Sequence, residues 1–522
     1  MARQVFFAIA LFLSSAGGLV IEIVAGRLIA PYVGMSLYTW TAIIAVVLAG
    51  LSGGHWIGGR LAGRDVDERT AAGRLAAALG LACVTSLAAL VLLRALSGPL
   101  LTSGLGPIPI VVILTTVLFL APSLFVGIVA PILTKLALDA RPNDPGPVLG
   151  RMYALGTLGS IAGTLSAGYF FISWIGSIGT VLSVAAVYAA LAIICAAISK
   201  RAAQGVVGII VLAIVTGGLG LWGNAVRAFT TPCTTESDYF CIRIDDFSGA
   251  SGRPSALMAL DHLVHSINDR DDPALFYSPY LHFIDEYATD RFAARGPGAA
   301  FSAFFIGGGG YTLPRAWAKT IPGAELVVAE LDPKVTEVAI RDLWLDPKHP
   351  AMRIHHRDAR MLLQDLPAAP RFDVVFGDAF RDIAIPAHLI TREFSREVAT
   401  RLKPDGFYAV NVIDIGTDPQ FLAAFVRTLL EDFKAVEVWA EAEELAAGLA
   451  GRGQRVTYIV IAGQSLAGLP AKFVSRRGVE REWARWPLRE LTARFGPDTP
   501  VLTDDFAPVD RLMARLLLTP EK

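Results

Sequence analysis

Seven windows of mostly apolar residues, each close to the roughly 20 residues needed to cross the hydrocarbon core of a bilayer, crowd into the first 225 positions of this 522-residue chain. They fall at 5–29, 38–59, 71–96, 108–138, 149–174, 179–198 and 205–222. The fourth carries Pro122 and Pro131 and reads as one kinked helix, since it is too short for two passes. The first is not expected to be a cleavable signal, because its apolar run is long and Glu22 and Arg27 interrupt its end. Charge divides the chain at the same place. Residues 1–225 hold 12 Lys and Arg against 6 Asp and Glu, whereas the remainder holds 34 basic and 41 acidic residues. The net charge of −1 and the 53% hydrophobic content therefore average two different compositions. An ordinary soluble enzyme, a disordered chain and a small disulfide-rich secreted domain are all excluded.

The basic residues give an orientation. Arg60, Arg64, Arg69 and Arg74 follow the second window, Lys135, Arg141 and Arg151 flank the loop between the fourth and fifth, and Lys200 and Arg201 lie between the sixth and seventh. The alternate loops carry no Lys or Arg, although Arg94 stands close to one of them. A multi-pass protein of the cell (inner or plasma) membrane is expected, with a cytoplasmic N-terminus. Seven crossings would then leave the second half on the non-cytoplasmic side. Cys233 and Cys241, eight apart just past the last window, are a disulfide candidate on that side; two free thiols are the alternative. Cys83 and Cys195 fall inside windows and read as small buried hydrophobes. Glu22, Arg27 and His55 are ionisable groups within windows and so functional candidates, or else groups satisfied within the bundle. The many small residues, among them Gly17, Gly18, Gly50, Gly54 and Gly58, permit close helix contact. A homo-oligomer stays open.

Past residue 225 the pattern changes. Segments 239–244, 255–260 and 263–267 predict a small antiparallel layer. Strands and helices then alternate, with strands at 301–306, 325–329, 353–355, 372–376, 407–412, 435–439 and 456–461. Such alternation predicts a doubly wound, mostly parallel Rossmann-like sheet of the methyltransferase type. The expected organisation is a transmembrane helical domain over 1–225, a linker and small β layer over 226–295, and the Rossmann-like domain over 296–522.

Ligands of such sheets bind beyond the carboxyl ends of the strands, and the polar features collect there. The run Gly307, Gly308, Gly309 and Gly310 follows the first core strand and removes side chains where a ligand would approach backbone amides; a tight structural turn is the simpler alternative. Glu330, at the end of the second, is suited to ribose hydroxyls. Asp358 closes the third, where it could meet an adenine edge, and Asp378 closes the fourth. A nucleoside-type ligand is expected. The chain lacks a phosphate-loop motif and metal-ligand spacing, and its acidic second half argues against nucleic acid.

These residues resemble the spermidine/spermine synthase (polyamine aminopropyltransferase) family in its membrane-fused branch. Gly307 to Gly310 look like its glycine loop, Glu330-Leu331-Asp332 like its ribose-binding acid, Arg357-Asp358-Ala359 like its adenine-contacting motif, and Phe372 to Asp378 like its catalytic strand. Leu260-Asp261-His262 is similar to the Leu-Asp-Gly of its β layer, and Glu22 to Arg27, Gly58 to Ala62 and Leu502 to Asp510 look like the fused branch. The resemblance implies that decarboxylated S-adenosylmethionine is the co-substrate, that Asp378 is the base, and that the acceptor is a polyamine or other small amine bound near Tyr280, His282 and Asp382. Asp332 and Ala359 would join the nucleoside pocket, and no metal is implied.

Three departures bear on the acceptor end. Gly310 stands where the family has an Asp after three glycines, Arg381 stands where a second Asp is usual (Asp382 is displaced by one), and the segment at Tyr280-Leu281-His282-Phe283 lacks the family's acid. Asp285, Glu286, Asp504 and Asp505 are candidates to compensate. Two other activities stay open: an S-adenosylmethionine-dependent methyltransferase, and a non-enzymatic polyamine- or nucleoside-binding or transport-coupled membrane protein.

Overall fold

The computed structural model describes residues 2–518 apart from 64–65, 200–201, 297, 381–383, 452–454, 467–468, 476–479 and 497. The chain divides into two compact units after Pro232.

The first unit is all helix: α1 Ala2–Val33, α2 Leu37–Leu61, α3 Glu68–Leu101, α4 Pro107–Gly127, α5 Val129–Asp139, α6 Pro145–Ser166, α7 Ile172–Ile198 and α8 Ala202–Ala225. Helices α4 and α5 form one apolar stretch interrupted at Gly127–Ile128. The cause is Pro131, whose missing N–H leaves the carbonyl four residues earlier without its helical partner. A π-helical turn, Ala167–Phe171, joins α6 to α7.

By length and apolarity there are six membrane-crossing stretches among the described residues, one of them the 54-residue Pro145–Ile198. At 1.5 Å per residue a straight helix of that length would run about 80 Å, far more than a bilayer. Gly176 breaks it, with φ 70° and ψ 173°. Close backbone approaches give the helix directions. Gly159 and Gly163 on α6 lie against the carbonyls of Phe12 and Ala16, so α6 runs parallel to α1. Ser199, just past α7, lies beside Gly73 near the start of α3, so α7 has turned back. Among the described residues the stretch therefore turns back on itself, consistent with the two crossings that the windows at 149–174 and 179–198 predict. Helix α8 runs parallel to α3, with Leu212 near Gly80 and the Thr230 carbonyl accepting from Arg94 at 2.8 Å.

The intramembrane candidates separate. Glu22 and Arg27 are half-buried on α1. His55 instead lies on the exposed face of α2, beside Trp56, over whose ring the Arg60 guanidinium sits at 3.6 Å. That aromatic–cation pairing at a helix end is typical of the membrane interface, where amphipathic rings and long cations keep one end in water.

The second unit holds two sheets. Strands β1 Thr235–Glu236, β2 Cys241–Asp246, β3 Ser255–Leu260 and β4 Leu263–Asp269 form an antiparallel layer. Cys233 and Cys241 are disulfide-bonded at its first hairpin. The larger sheet contains β5 Ser302–Ile306, β6 Glu325–Glu330, β7 Met352–His356, β8 Phe372–Gly377, β9 Leu402–Ile415, β10 Ala435–Glu441, β11 Arg455–Gly463, β12 Lys472–Val474 and β13 Glu482–Trp486, in the order 12-13-10-11-9-8-5-6-7. Strands β7, β6, β5, β8 and β9 are parallel. Strands β11, β10, β13 and β12 extend the sheet antiparallel, so it is more mixed than the alternation predicts. The central strands β5 and β8 are buried along their whole length, as continuous apolar runs between two helical layers should be. Strand order reverses between β5 and β8, and the site lies beyond their carboxyl ends.

Candidate active site

Asp378 follows β8 and is the best-defined polar centre. Its Oδ2 accepts from the Tyr280 hydroxyl at 2.8 Å and its Oδ1 from Asn411 Nδ2 at 3.1 Å. Burial pushes its carboxyl up to about 6, against the lowering effect of those two donors. Tyr280 is brought in by the helix Pro279–Phe292, and Asn411 by β9, which pairs with β8. The Asn411 amide oxygen is buried and has no hydrogen-bond partner among the described residues. Since Nδ2 faces the Asp378 carboxylate, the remaining Oδ1 is an acceptor available to a donor beside Asp378. A buried acceptor left unmet costs free energy, which a bound N–H would recover.

The glycine loop follows β5. Gly307 (φ 95°) and Gly309 (φ 51°) take conformations disfavoured for other residues, and a Cβ on Gly307 would stand 2.9 Å from the Asp378 carbonyl oxygen. Glu330 Oε2 accepts from the amides of Gly308 (2.8 Å) and Gly309 (3.1 Å), and Oε1 from Asp332 N at 2.9 Å. Burial raises its carboxyl, offset in part by those amides. Asp332 caps the helix Pro333–Asp342 through Lys334 N. Asp358 likewise caps the helix Ala359–Asp365, accepting from Met361 N at 3.1 Å, while its Oδ2 meets His388 Nε2 at 2.8 Å. Its neighbour Ala359 is buried.

Gly310 has a local reason. Its amide donates to the Ser266 hydroxyl at 2.8 Å, and a Cβ at position 310 would fall 2.6 Å from Ser266 Cβ. Asn268 binds the Gly310 carbonyl at 2.7 Å and accepts from Thr312 at 2.6 Å. Strand β4 therefore occupies the space that an acidic side chain at 310 would need.

The other expected acceptor groups lie elsewhere. His282 is buried with Nε2 on the Phe276 carbonyl at 2.7 Å, its ring edge-on to Phe276, and burial lowers its pKa. Asp285 accepts from the Trp317 indole and Glu286 from Ser475, both at 2.8 Å, and Asp504 is paired with Arg360, so these three have partners of their own. Asp505 is exposed, and Asp382, like Arg381, lies outside the described residues. No group of three or more His, Cys, Asp or Glu side chains suited to a metal occurs among the described residues.

Asn411, Ser266 and His388 were not singled out by the sequence. Asn411 had a signal, a lone amide inside the apolar run 407–412; the other two depend on strand and loop contacts that no local pattern carries.

Fold and site together define a class: a membrane helical bundle joined to a Rossmann-like, methyltransferase-type domain with a carboxylate centre at its switch point. No family model matches the chain. Two relatives do. A polyamine aminopropyltransferase of Vibrio vulnificus is 27% identical over 216 residues, 40% of this chain and 68% of the relative. A probable polyamine aminopropyl transferase of Bifidobacterium longum is 27% identical over 228 residues, 41% of this chain and 49% of that one. Among solved structures, a probable spermidine synthase from Corynebacterium glutamicum aligns with a TM-score of 0.45 at 21% identity, covering 54% of this chain and 99% of its own. The second half of the chain is thus similar to polyamine aminopropyltransferases, and apolar helices of membrane-crossing length precede the matched region.

Proposed function

We propose that this protein is a membrane-bound transferase of the spermidine synthase type, moving an aminopropyl group from decarboxylated S-adenosylmethionine to a polyamine or other small amine. The observation that carries the reading is the Asp378 carboxylate, fixed by Tyr280 and Asn411 beside a glycine loop and the ribose-type acid Glu330. The adenosine would lie along Gly307–Gly309 with its ribose on Glu330 and its base toward Asp358. In the transfer, the lone pair of a neutral amine attacks the carbon bonded to the sulfonium. The C–S bond breaks, its electron pair passes to sulfur, and methylthioadenosine leaves as a neutral thioether. Asp378 takes the proton that the new C–N bond makes acidic, while the Asn411 oxygen accepts a second N–H of the same nitrogen. Positioning supplies much of the remaining acceleration, because the sulfonium already leaves well.

A second donor is favoured by one observation. Ser266 and Gly310 replace an acid with a hydroxyl and an open backbone, which removes a charge that would repel the carboxylate of intact S-adenosylmethionine.

The catalytic unit is assigned to the non-cytoplasmic side of the cell membrane. This rests on the basic loops at one face, the odd number of crossings and the Cys233–Cys241 disulfide.

Calorimetry on the detergent-purified full chain tests the ligand assignment with methylthioadenosine, decarboxylated S-adenosylmethionine and S-adenosylmethionine. Saturable one-to-one binding of at least one nucleoside is expected, with Glu330→Gln weakening it about tenfold or more. Absence of binding by all three would refute the reading.

A further inference from the structure

The nucleoside end of the site contains a contact that the aminopropyl-transfer reading does not use. Asp358 spends Oδ1 on the first turn of its own helix and presents Oδ2 to His388. His388 lies on the 3-10 turn Ala387–Leu389, and its carbonyl accepts from Arg360 Nη1 at 3.1 Å. Arg360, two residues beyond Asp358, forms a twin ion pair with Asp504 at 2.7 and 2.6 Å. Asp504 also accepts from Thr391 at 2.8 Å, and its amide donates to Glu393 at 3.0 Å. A closed ring results, running from Asp358 through His388 and Arg360 back to the helix that carries Asp358. The C-terminal segment bolts it to the start of the helix Arg392–Arg401.

We propose that His388 is a specificity-determining residue of the nucleoside pocket: its Nε2–H stands where the exocyclic amine of an adenine would bind Asp358, and the base must displace it to enter. The geometry of the ring gives the reason. Asp358 Oδ2 is its one oxygen not committed to the backbone, and the imidazole meets that oxygen at 2.8 Å, the distance of a strong charge-assisted bond. The Arg360 grip on the turn holds the ring there without a ligand. Among the described residues, the charged groups facing His388 are Asp358 and Arg360 from the helix Ala359–Asp365 and its cap, and Asp504 from the C-terminal segment, with Glu393 behind Asp504.

The proposal rests on the nucleoside reading above, and methylthioadenosine is the probe for both. Calorimetry on the full chain should show His388→Ala, which frees Asp358 Oδ2, binding on the order of tenfold more tightly than wild type. His388→Gln, which keeps a donor, should stay closer to wild type. A histidine that merely supports the fold would give weaker binding in both variants, and that result overturns the proposal. So does an affinity that is the same in wild type and His388→Ala, which leaves the nucleoside reading intact. No binding by any of the three proteins would overturn both.

Discussion

The chemistry turns on how few groups surround Asp378. Two neutral donors hold its oxygens, no cation is bonded to it among the described residues, and burial pushes its carboxyl up to about 6. A base must be ionised to act, so turnover should rise as pH climbs through about 6 and level off above it, as initial rates between pH 5 and 8 will show. The same shift has a stability consequence of opposite sign. A carboxyl whose folded pKa exceeds its unfolded value contributes stability below about pH 4 and loses it as pH rises through about 6. Asp378→Asn should therefore raise the unfolding free energy at pH 8 by about 1–2 kcal/mol, measured by thermal or denaturant unfolding, while abolishing most turnover. Gly310 makes a second residue-scale prediction. Gly310→Asp alone should lose about 1–3 kcal/mol by overlap with Ser266. Paired with Ser266→Gly it should recover stability and bind decarboxylated S-adenosylmethionine more tightly than wild type. No recovery in the double variant would show that the Ser266 contact is not what excludes the acid. The strand-end positions of Glu330 and Asp378 were legible because each closes an apolar run, whereas Asp358 follows a polar strand and was placed only by the alternation of strands and helices. The contacts of Ser266, Asn411 and His388 were not, because they join residues 30 to 44 positions apart across strands and loops, and only Asn411 left a local sign, its lone amide in an apolar run.

At the scale of elements, the bundle is set by glycines. Gly50, Gly54 and Gly58 recur every fourth residue on α2 and meet the backbone of Leu120, Leu124 and Ile128. With no hydrophobic drive between helices in lipid, such close packing supplies the association. Gly54→Leu should force α2 and α4 apart and lower the thermal midpoint in detergent by many degrees, whereas Gly59→Leu, at a position with nothing within 4 Å, should change it little. Equal effects would refute the packing account. The core strands were legible as runs of β-branched and aromatic residues between turns. Their direction was not, since an apolar run reads the same either way, and so the antiparallel β10, β11 and β13 went unforeseen. The short edge strands β12 and β13 left no pattern long enough to read.

For the whole molecule, two compositions in sequence accompany two compact units, and the division after Pro232 lies about ten residues past the last apolar window. The crossing count depends on Gly176, one glycine in a run of continuous apolar helix. The proposed topology has seven crossings, and so opposite faces of the membrane for the two ends of the chain. A C-terminal alkaline phosphatase fusion in bacteria should be active, and a C-terminal green fluorescent protein should be dark; the reverse pattern would contradict the topology. Thiol labelling of the intact chain should likewise require reduction before Cys233 and Cys241 react, and replacing both by Ser should cost about 2.5 kcal/mol for so short a loop.

The proposed reaction is transfer of an alkyl group from a sulfonium nucleoside at Asp378. Its most direct test is mass-spectrometric detection of methylthioadenosine and an aminopropylated amine, formed by the detergent-purified chain from decarboxylated S-adenosylmethionine and a diamine. Wild type should form both products in equal amounts, and Asp378→Asn should form them at least a hundredfold more slowly while still binding methylthioadenosine. Equal rates for the two proteins, or methylthioadenosine binding without either product from wild type, would contradict it.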